Sequence, residues 1–350
     1  MSGAGDSSPA PDPARPFGDR LAAAVAARES QIVLGIDPDP ARLWPGALDR
    51  TSRARAALAQ ALAAAHDAAR ALIAGEHAAE EAAVGADLAV HPAALEAGAA
   101  VLAHGVALID AAGPACVAVK PQLATFERLG FTGALALEGV CAHAHAAGLL
   151  VLADGKRGDV PVTAAAYAQA LAGATPSPFG AAPGLEADAF TANPLLGRDA
   201  LAPLIEGARA AGAGAFVLVR TSNPGAADVF DLPLATGEPL WERLALLVAE
   251  LGETGTAGLS DVGAVTGATA PEHLVRMREL MPATPFLLPG VGAQGGDVAA
   301  LAPAFAPGRA AGLVTASRSI AQAHETGTGD PPAAARAEAE RLRETAWALA

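Results

Sequence analysis

Lysine is nearly missing from this chain: of 23 Lys and Arg residues, only Lys120 and Lys156 are lysines. A sequence that uses arginine almost everywhere else places its two lysines where a guanidinium will not serve, because arginine cannot give up its proton near neutral pH and an ammonium group can. Cysteine is as scarce. Cys116 and Cys141 lie in apolar segments, make no CxxC or other metal spacing and give no disulfide framework, which fits a reducing cytoplasm. Positive charge is short overall, with a formal net charge of -14 and a pI near 4.9. That balance excludes a basic surface for nucleic acid or anionic membrane, so any anionic ligand must be held by a local site. No run of 18 or more strongly apolar residues is free of Asp, Arg, His or Gly, and the mean hydropathy of +0.33 comes from alanine. The chain therefore reads as soluble, without a membrane partner. Residues 1–16 are rich in Ser, Gly, Pro and Asp without an apolar core and read as a disordered leader, leaving 17–350 as one catalytic domain.

What the sequence does contain centres on Leu149 to Tyr167, LLVLADGKRGDVPVTAAAY. A short apolar run ends abruptly in Asp154-Gly-Lys156-Arg157-Gly-Asp159, with charges and glycines where a buried strand should stop. Similar runs recur at Gln31 onward (QIVLGIDPDP), Ala115–Gln122, Asp188–Pro194, Gly214–Thr221, Val262–Ala268, Pro285–Gly292 and Ala311–Arg318, making eight with the central one. Helix-compatible stretches separate them: 51–75 and 91–112, broken around Gly75-Glu76-His77 within an extended helical segment at about 73–112, then 131–147 and others. Short, mostly apolar strands alternating with helices are the pattern of parallel strands buried on both faces. Eight such units without a linker favour an α/β fold of the (β/α)8 TIM-barrel type. An open doubly wound sheet is the alternative, weakened by the lack of GxGxxG after the first strand.

In a barrel the carboxyl ends of the strands converge on one mouth. Those ends here carry Asp37, Lys120, Asp154 with Lys156 and Asp159, Asn193, Ser222 with Asn223, Gln294 and Arg318. Asp154 and Lys156 are two apart, so an extended strand end would turn both to one side, where Lys120 can join them. Carboxylates beside an ammonium favour its charged form, which casts Lys156 as an acid and argues against Schiff-base chemistry. Pro289-Gly-Val-Gly-Ala-Gln-Gly-Gly296 is a turn able to offer backbone N–H groups, and Arg318 has a fork suited to phosphate oxygens. Taken singly, each feature has a plainer reading: a structural ion pair, an ordinary tight turn, a solvated arginine, a helix cap at Ser222-Asn223-Pro224. His143 and His145 are two apart on an expected helix and cannot pair on a metal, so no metal site is expected.

Asp154-Gly-Lys156-Arg157-Gly-Asp159 with Thr163 resembles the DxKxxD segment of the orotidine 5′-phosphate decarboxylases, in particular their longer bacterial branch. LGIDP at 34–38, VKPQ with Phe126-Glu127, TSNPGA at 221–226, TGATAP, PGVGAQGGD at 289–297 and SRSI at 317–320 follow the same family pattern in order. Leu195 departs from it, standing where the family often has Tyr. The resemblance implies that Lys156 is the proton donor to C6 of the pyrimidine, and that Lys120, Asp154 and Asp159 complete a charged tetrad. It further implies that Asp159 and Thr163 reach the neighbouring subunit of a homodimer, Asp37 holds ribose hydroxyls, Ser222 reads the pyrimidine, and Gln294 with Arg318 grips the phosphate. No cofactor is implied, and the enzyme would be cytoplasmic. Two rivals remain at this point: a barrel aldolase working through a lysine Schiff base, and a catalytically dead binder of phosphate ligands.

Overall fold

The short apolar runs become parallel strands that close on themselves. The computed structural model describes residues 15–73, 91–292, 295–326 and 329–350. In chain order the strands are β1 (Ile32–Ile36), β2 (Ala118–Pro121), β3 (Leu150–Arg157), β4 (Ala174–Ser177), β5 (Gly180–Pro183), β6 (Ala189–Ala192), β7 (Gly214–Arg220), β8 (Val262–Thr266), β9 (Phe286–Leu288) and β10 (Gly312–Ala316). The barrel closes in the order β1-β10-β9-β8-β7-β6-β3-β2, while β4 and β5 form a separate hairpin. Neighbouring barrel strands are parallel. The (β/α)8 expectation is met and the open sheet is excluded. The reason lies in burial: β1, β2, β6, β8, β9 and β10 are buried at every position, so each strand is largely apolar on both faces, with a few polar residues toward the carboxyl ends.

A helix that the sequence reading did not assign, Phe17–Arg28, floors this barrel. Phe17, Leu21 and Val25 recur every four residues and so share one helix face. They enter the same buried cluster as Val33, Leu150, Leu152, Phe216, Leu287 and Leu313. The Phe17 ring meets Phe216 edge-on at 5.9 Å, and a Cβ on Gly214, the first residue of β7, would lie 2.3 Å from that ring. Because contact falls at the amino end of the strand, the carboxyl ends are left as the mouth. Arg20 of this helix is buried in an ion pair with Asp188, which also accepts the Val151 N–H at 2.8 Å and contacts His145 Nε2 at 3.0 Å. Burial works to raise the Asp188 carboxyl, but the His145, Arg20 and Val151 contacts outweigh it and hold the pKa below the ordinary value. His143 lies 2.7 Å from Asp110, so each of the two histidines meets a carboxylate.

A second buried arginine ties the late strands together. Arg278, in the helix Leu274–Leu280, donates to the carbonyls of Met281, Thr284, Ala304 and Ala311 and lies 3.8 Å from the centre of the Phe286 ring. Burial pushes its pKa down to about 10. Arg278→Met fills similar space but orphans these buried acceptors, each worth about 1–3 kcal/mol. A loss of about 3 kcal/mol or more is expected in urea unfolding, and an unchanged midpoint would show that the clamp does not stabilise the fold.

The chain divides into two compact units. One comprises the chain up to Ile36, Leu108–Gln122 and His143–Ala350, and holds the whole barrel. The other, Asp37–Ala107 with Leu123–Ala142, is mostly helical in its described residues and includes Thr51–Ile73, most of Pro92–Ala112 and most of Gly130–Ala146. Within it the Trp44 N–H donates to Nδ1 of buried His104 at 3.2 Å. The break expected at 75–77 lies outside the described residues, as does nearly all of the leader expected at 1–16. By length and composition alone Pro92–Ala115 could cross a membrane, a run that the sequence criterion passed over because His and Gly interrupt it. Over half of its most apolar 18-residue stretch, 56%, is buried inside the protein, as in the core helix of a globular protein.

Candidate active site

Strand β3 carries the centre of the site. Leu150 and Leu152 join the core cluster, and Asp154 continues their side of the strand to its carboxyl end, where it is only 5% exposed. Its Oδ2 accepts from Lys120 Nζ of β2 at 2.5 Å and from Gln122 Nε2 at 3.3 Å. Its Oδ1 accepts from Lys156 Nζ at 2.7 Å and from the Thr191 hydroxyl of β6 at 2.8 Å. These donors fill the capacity of an ionised carboxylate, about four lone-pair sites. Burial works to raise the Asp154 carboxyl, yet the ammonium of Lys120 and then that of Lys156 outweigh it and hold the pKa far below the usual carboxylate range. Two ammonium groups thus flank one carboxylate.

The sequence brings the three charged groups together as expected, but Lys156 arrives by another route. Simple alternation along an extended strand end does not apply. The register of β3 against β6 steps from Ala153–Phe190 to Arg157–Ala192, and Lys156 has a left-handed backbone with φ 49°. That conformation costs a non-glycine residue about 1–2 kcal/mol and persists only where the surroundings fix it. Here the Lys156 N–H donates to Thr191 Oγ1 at 2.8 Å and the Asn193 N–H donates to the Arg157 carbonyl at 2.8 Å. Gly158 completes the clamp, since a Cβ there would lie 2.8 Å from the Asn193 carbonyl oxygen. The outcome is a division of labour: the Lys120 side chain is 7% exposed beneath Asp154, whereas that of Lys156 is 42% exposed toward solvent. Lys156 is the ammonium a ligand can reach.

The other expected residues are placed less closely. Asp159 is half-buried and accepts the N–H of Val160 at 2.7 Å; among the described residues of one chain, no hydrogen bond or ion pair joins it to the row. Thr163 is exposed on the helix Pro161–Leu171. Asp37 directly follows β1, is exposed, and belongs to the second unit. Ser222 follows β7 and is half-buried, and a Cβ on Gly267 would lie 2.7 Å from its Cα. The loop after it is fastened by Arg220, whose fork meets Asp231 at 2.8 and 2.9 Å.

Gln294 lies outside the described residues. In the described part of the glycine turn around it, the N–H groups of Gly292, Gly295 and Gly296 are used within the turn, on the carbonyls of Gly296, Gly292 and Gly290. Left-handed φ values of 103°, 72° and 87° at Gly290, Gly292 and Gly295 permit that closure. A Cβ on Gly292 would lie 3.0 Å from Cβ of Ser319, so the turn after β9 packs on the helix Arg318–Ala321 after β10. Arg318 itself is exposed and lines a hollow of about 540 Å³ with Gln322 and Arg341; Lys120, Asp154 and Lys156 do not line it. Among the described residues, no group of three or more His, Cys, Asp or Glu could hold a metal ion.

Thr191 and Gln122 were not read from the sequence as site residues. The signal for Thr191 was its place two after Ala189 in a buried strand, which turns it to the same side as a core residue but at the carboxyl end. Gln122 follows β2 and bridges to Asp154 as if continuing the ladder.

Residues 95–337 match the family described as Orotidine 5'-phosphate decarboxylase / HUMPS family. The chain is 44% identical to the orotidine 5'-phosphate decarboxylase of Deinococcus radiodurans over 240 residues, which cover 68% of this chain and 81% of that protein. It is 39% identical over 310 residues to the enzyme of the same name from Haloarcula marismortui, covering 88% of each. Among solved structures, the OMP decarboxylase of Leishmania donovani superposes with a TM-score of 0.62 at 27% identity, over 95% of this chain and 99% of that one.

Proposed function

This chain belongs to the Orotidine 5'-phosphate decarboxylase / HUMPS family, and on that premise we propose how it converts orotidine 5′-phosphate to UMP and CO2 in pyrimidine biosynthesis. The bond from C6 of the pyrimidine to the carboxylate breaks, its electron pair stays on C6, and CO2 departs. Lys156 faces the carbon, stabilises the charge as it develops, and then gives C6 a proton, which solvent restores to the amine. The observation that carries this reading is an accessible ammonium tethered at 2.7 Å to a carboxylate that a second, buried ammonium keeps ionised. Such a group is preorganised, so little reorganisation opposes it as charge forms. No metal or organic cofactor takes part in this scheme. Asp37 holds the ribose hydroxyls, Ser222 reads the pyrimidine, and Gln294 with Arg318 grips the phosphate, whose binding energy is expressed in the transition state. With purified protein, the ultraviolet absorbance of orotidine 5′-phosphate should fall as an equal amount of UMP forms. Borohydride with a carbonyl substrate should trap no adduct on either lysine. Persistence of the substrate, or such an adduct, would sink the reading.

The protein acts in the cytoplasm as a homodimer, with Asp159 and Thr163 entering the partner's site. Support comes from exposed apolar side chains beside the pair in the chain, Val160 at 55% and Val162 at 84%, with Leu195 at 57% in the segment after β6. A shared site makes a definite prediction. Lys156→Ala and Asp159→Ala protomers, each inactive alone, should regain about a quarter of wild-type activity after mixing and reassociation, since half of the dimers are hybrids with one intact site. No recovery from reassociated hybrids would place Asp159 outside the neighbouring site.

A further inference from the structure

Lys156 and Asp154 share a partner that the scheme above leaves idle. Thr191 is 1% exposed on β6, and its single hydroxyl lies 2.8 Å from Asp154 Oδ1 and 2.8 Å from the Lys156 backbone nitrogen. The carboxylate can only accept and the N–H can only donate, so the hydroxyl proton must point to Asp154 while a lone pair receives Lys156. One side chain thus fixes the carboxylate that tethers the Lys156 ammonium and also the backbone from which that side chain springs.

We propose that Thr191 is a positioning residue for the decarboxylation, holding Lys156 in the left-handed conformation that aims its ammonium at C6. The inference rests on the assignment of Lys156 as proton donor. Three features support it. First, Lys156 is a left-handed non-glycine residue inside a register shift, where the two flanking pairings, Ala153–Phe190 and Arg157–Ala192, leave it without a ladder partner. The Thr191 hydroxyl takes the place of that ladder bond. Second, the Lys156 side chain is 42% exposed, so packing alone does not set its direction and its anchoring must come from the backbone and Asp154. Third, threonine is β-branched and stiff at χ1, which gives the hydroxyl a set direction that serine would share less firmly and valine would lack. Removing the hydroxyl leaves the Lys156 N–H unpaired, lets its φ relax, and withdraws one donor from the oxygen that binds Nζ. A displacement of about 1 Å at a reacting group can cost 10²-fold in rate.

The test compares Thr191→Val, Thr191→Ser and Thr191→Ala with the wild type in steady-state decarboxylation of orotidine 5′-phosphate, alongside UMP binding by titration. Thr191→Val should lose about 10- to 100-fold in kcat while KM and UMP affinity stay within about threefold, since the affected interaction acts in the transition state. Thr191→Ser should stay within about fivefold of wild-type kcat. A role limited to folding would lower the amount of active enzyme, with no rescue specific to the hydroxyl once active sites are counted by UMP titration. Should the valine variant not fold, alanine against serine carries the same comparison. Wild-type kcat in the valine or alanine variant overturns the proposal and leaves the decarboxylase reading standing; a wild-type protein that does not turn the substrate over overturns that reading instead.

Discussion

Asp154→Asn is expected to reduce turnover by at least about 10³-fold and to lower stability by about 3–5 kcal/mol. The amide keeps the shape of the side chain but not its charge. Lys120 would then remain 7% exposed without the anion it meets at 2.5 Å, and removing one partner of a buried pair costs more than the pair contributes. Lys156 would lose its tether on the open side. The pH dependence follows from the sign of the shift. The Asp154 carboxyl is depressed in the folded protein, so its contribution is fully present above the unfolded carboxyl value of about 4 and is lost as pH falls from there toward the lower folded value. Urea midpoints of wild type and variant should therefore differ most near neutrality and converge as the medium is acidified below about pH 4. A constant difference across that range would mean that the carboxylate is not held by the two ammonium groups.

The barrel was legible because its determinants are local. Each strand is a short apolar run ending in a charged or glycine-bearing corner, and β7, expected at Gly214–Thr221, forms over Gly214–Arg220. Two of the elements that were missed, a helix and a hairpin, escaped notice for opposite reasons. The floor helix Phe17–Arg28 had a readable spacing at Phe17, Leu21 and Val25, but it stands between an unpatterned leader and the first strand, where no alternation pointed to it. The hairpin β4–β5 has no buried side. Its residues are exposed and it is held by cross-strand pairing from Ala174–Pro183 to Ser177–Gly180, which the stretch ATPSPFGAAP, with three prolines and no alternation of apolar and polar residues, does not announce.

At the site, the residue types were readable and their conformations were not. Lysine is rare enough that Lys120 and Lys156 stood out, and the acidic neighbours implied their charge state. The left-handed backbone of Lys156 is held by Thr191 of β6 and by Asn193 just past it, so nothing within DGKRGD specifies it except Gly158, which makes room for Asn193. The glycine turn shows the converse. Its composition suggested free N–H donors, whereas closing a turn this tight consumes those of Gly292, Gly295 and Gly296 internally. Arg318 and Gln294 remain the proposed phosphate contacts.

Lys156→Ala isolates the chemistry from the fold. Its side chain is 42% exposed, and Asp154 keeps Lys120, Gln122 and Thr191 when it is gone, so folding should change little. The remaining Lys120 lies buried on the far oxygen of Asp154 and cannot replace it as the accessible ammonium. Loss of a positioned acid and of the charge opposite the nascent carbanion should together remove at least about 10³-fold in kcat, while the nucleotide remains partly bound through phosphate and ribose. The decisive measurement is the ultraviolet decay of orotidine 5′-phosphate with wild type and Lys156→Ala side by side, at enzyme concentrations matched by UMP titration. Rapid decay with the first and almost none with the second is the expected result; equal decay in both would show that the proton and the stabilising charge come from elsewhere.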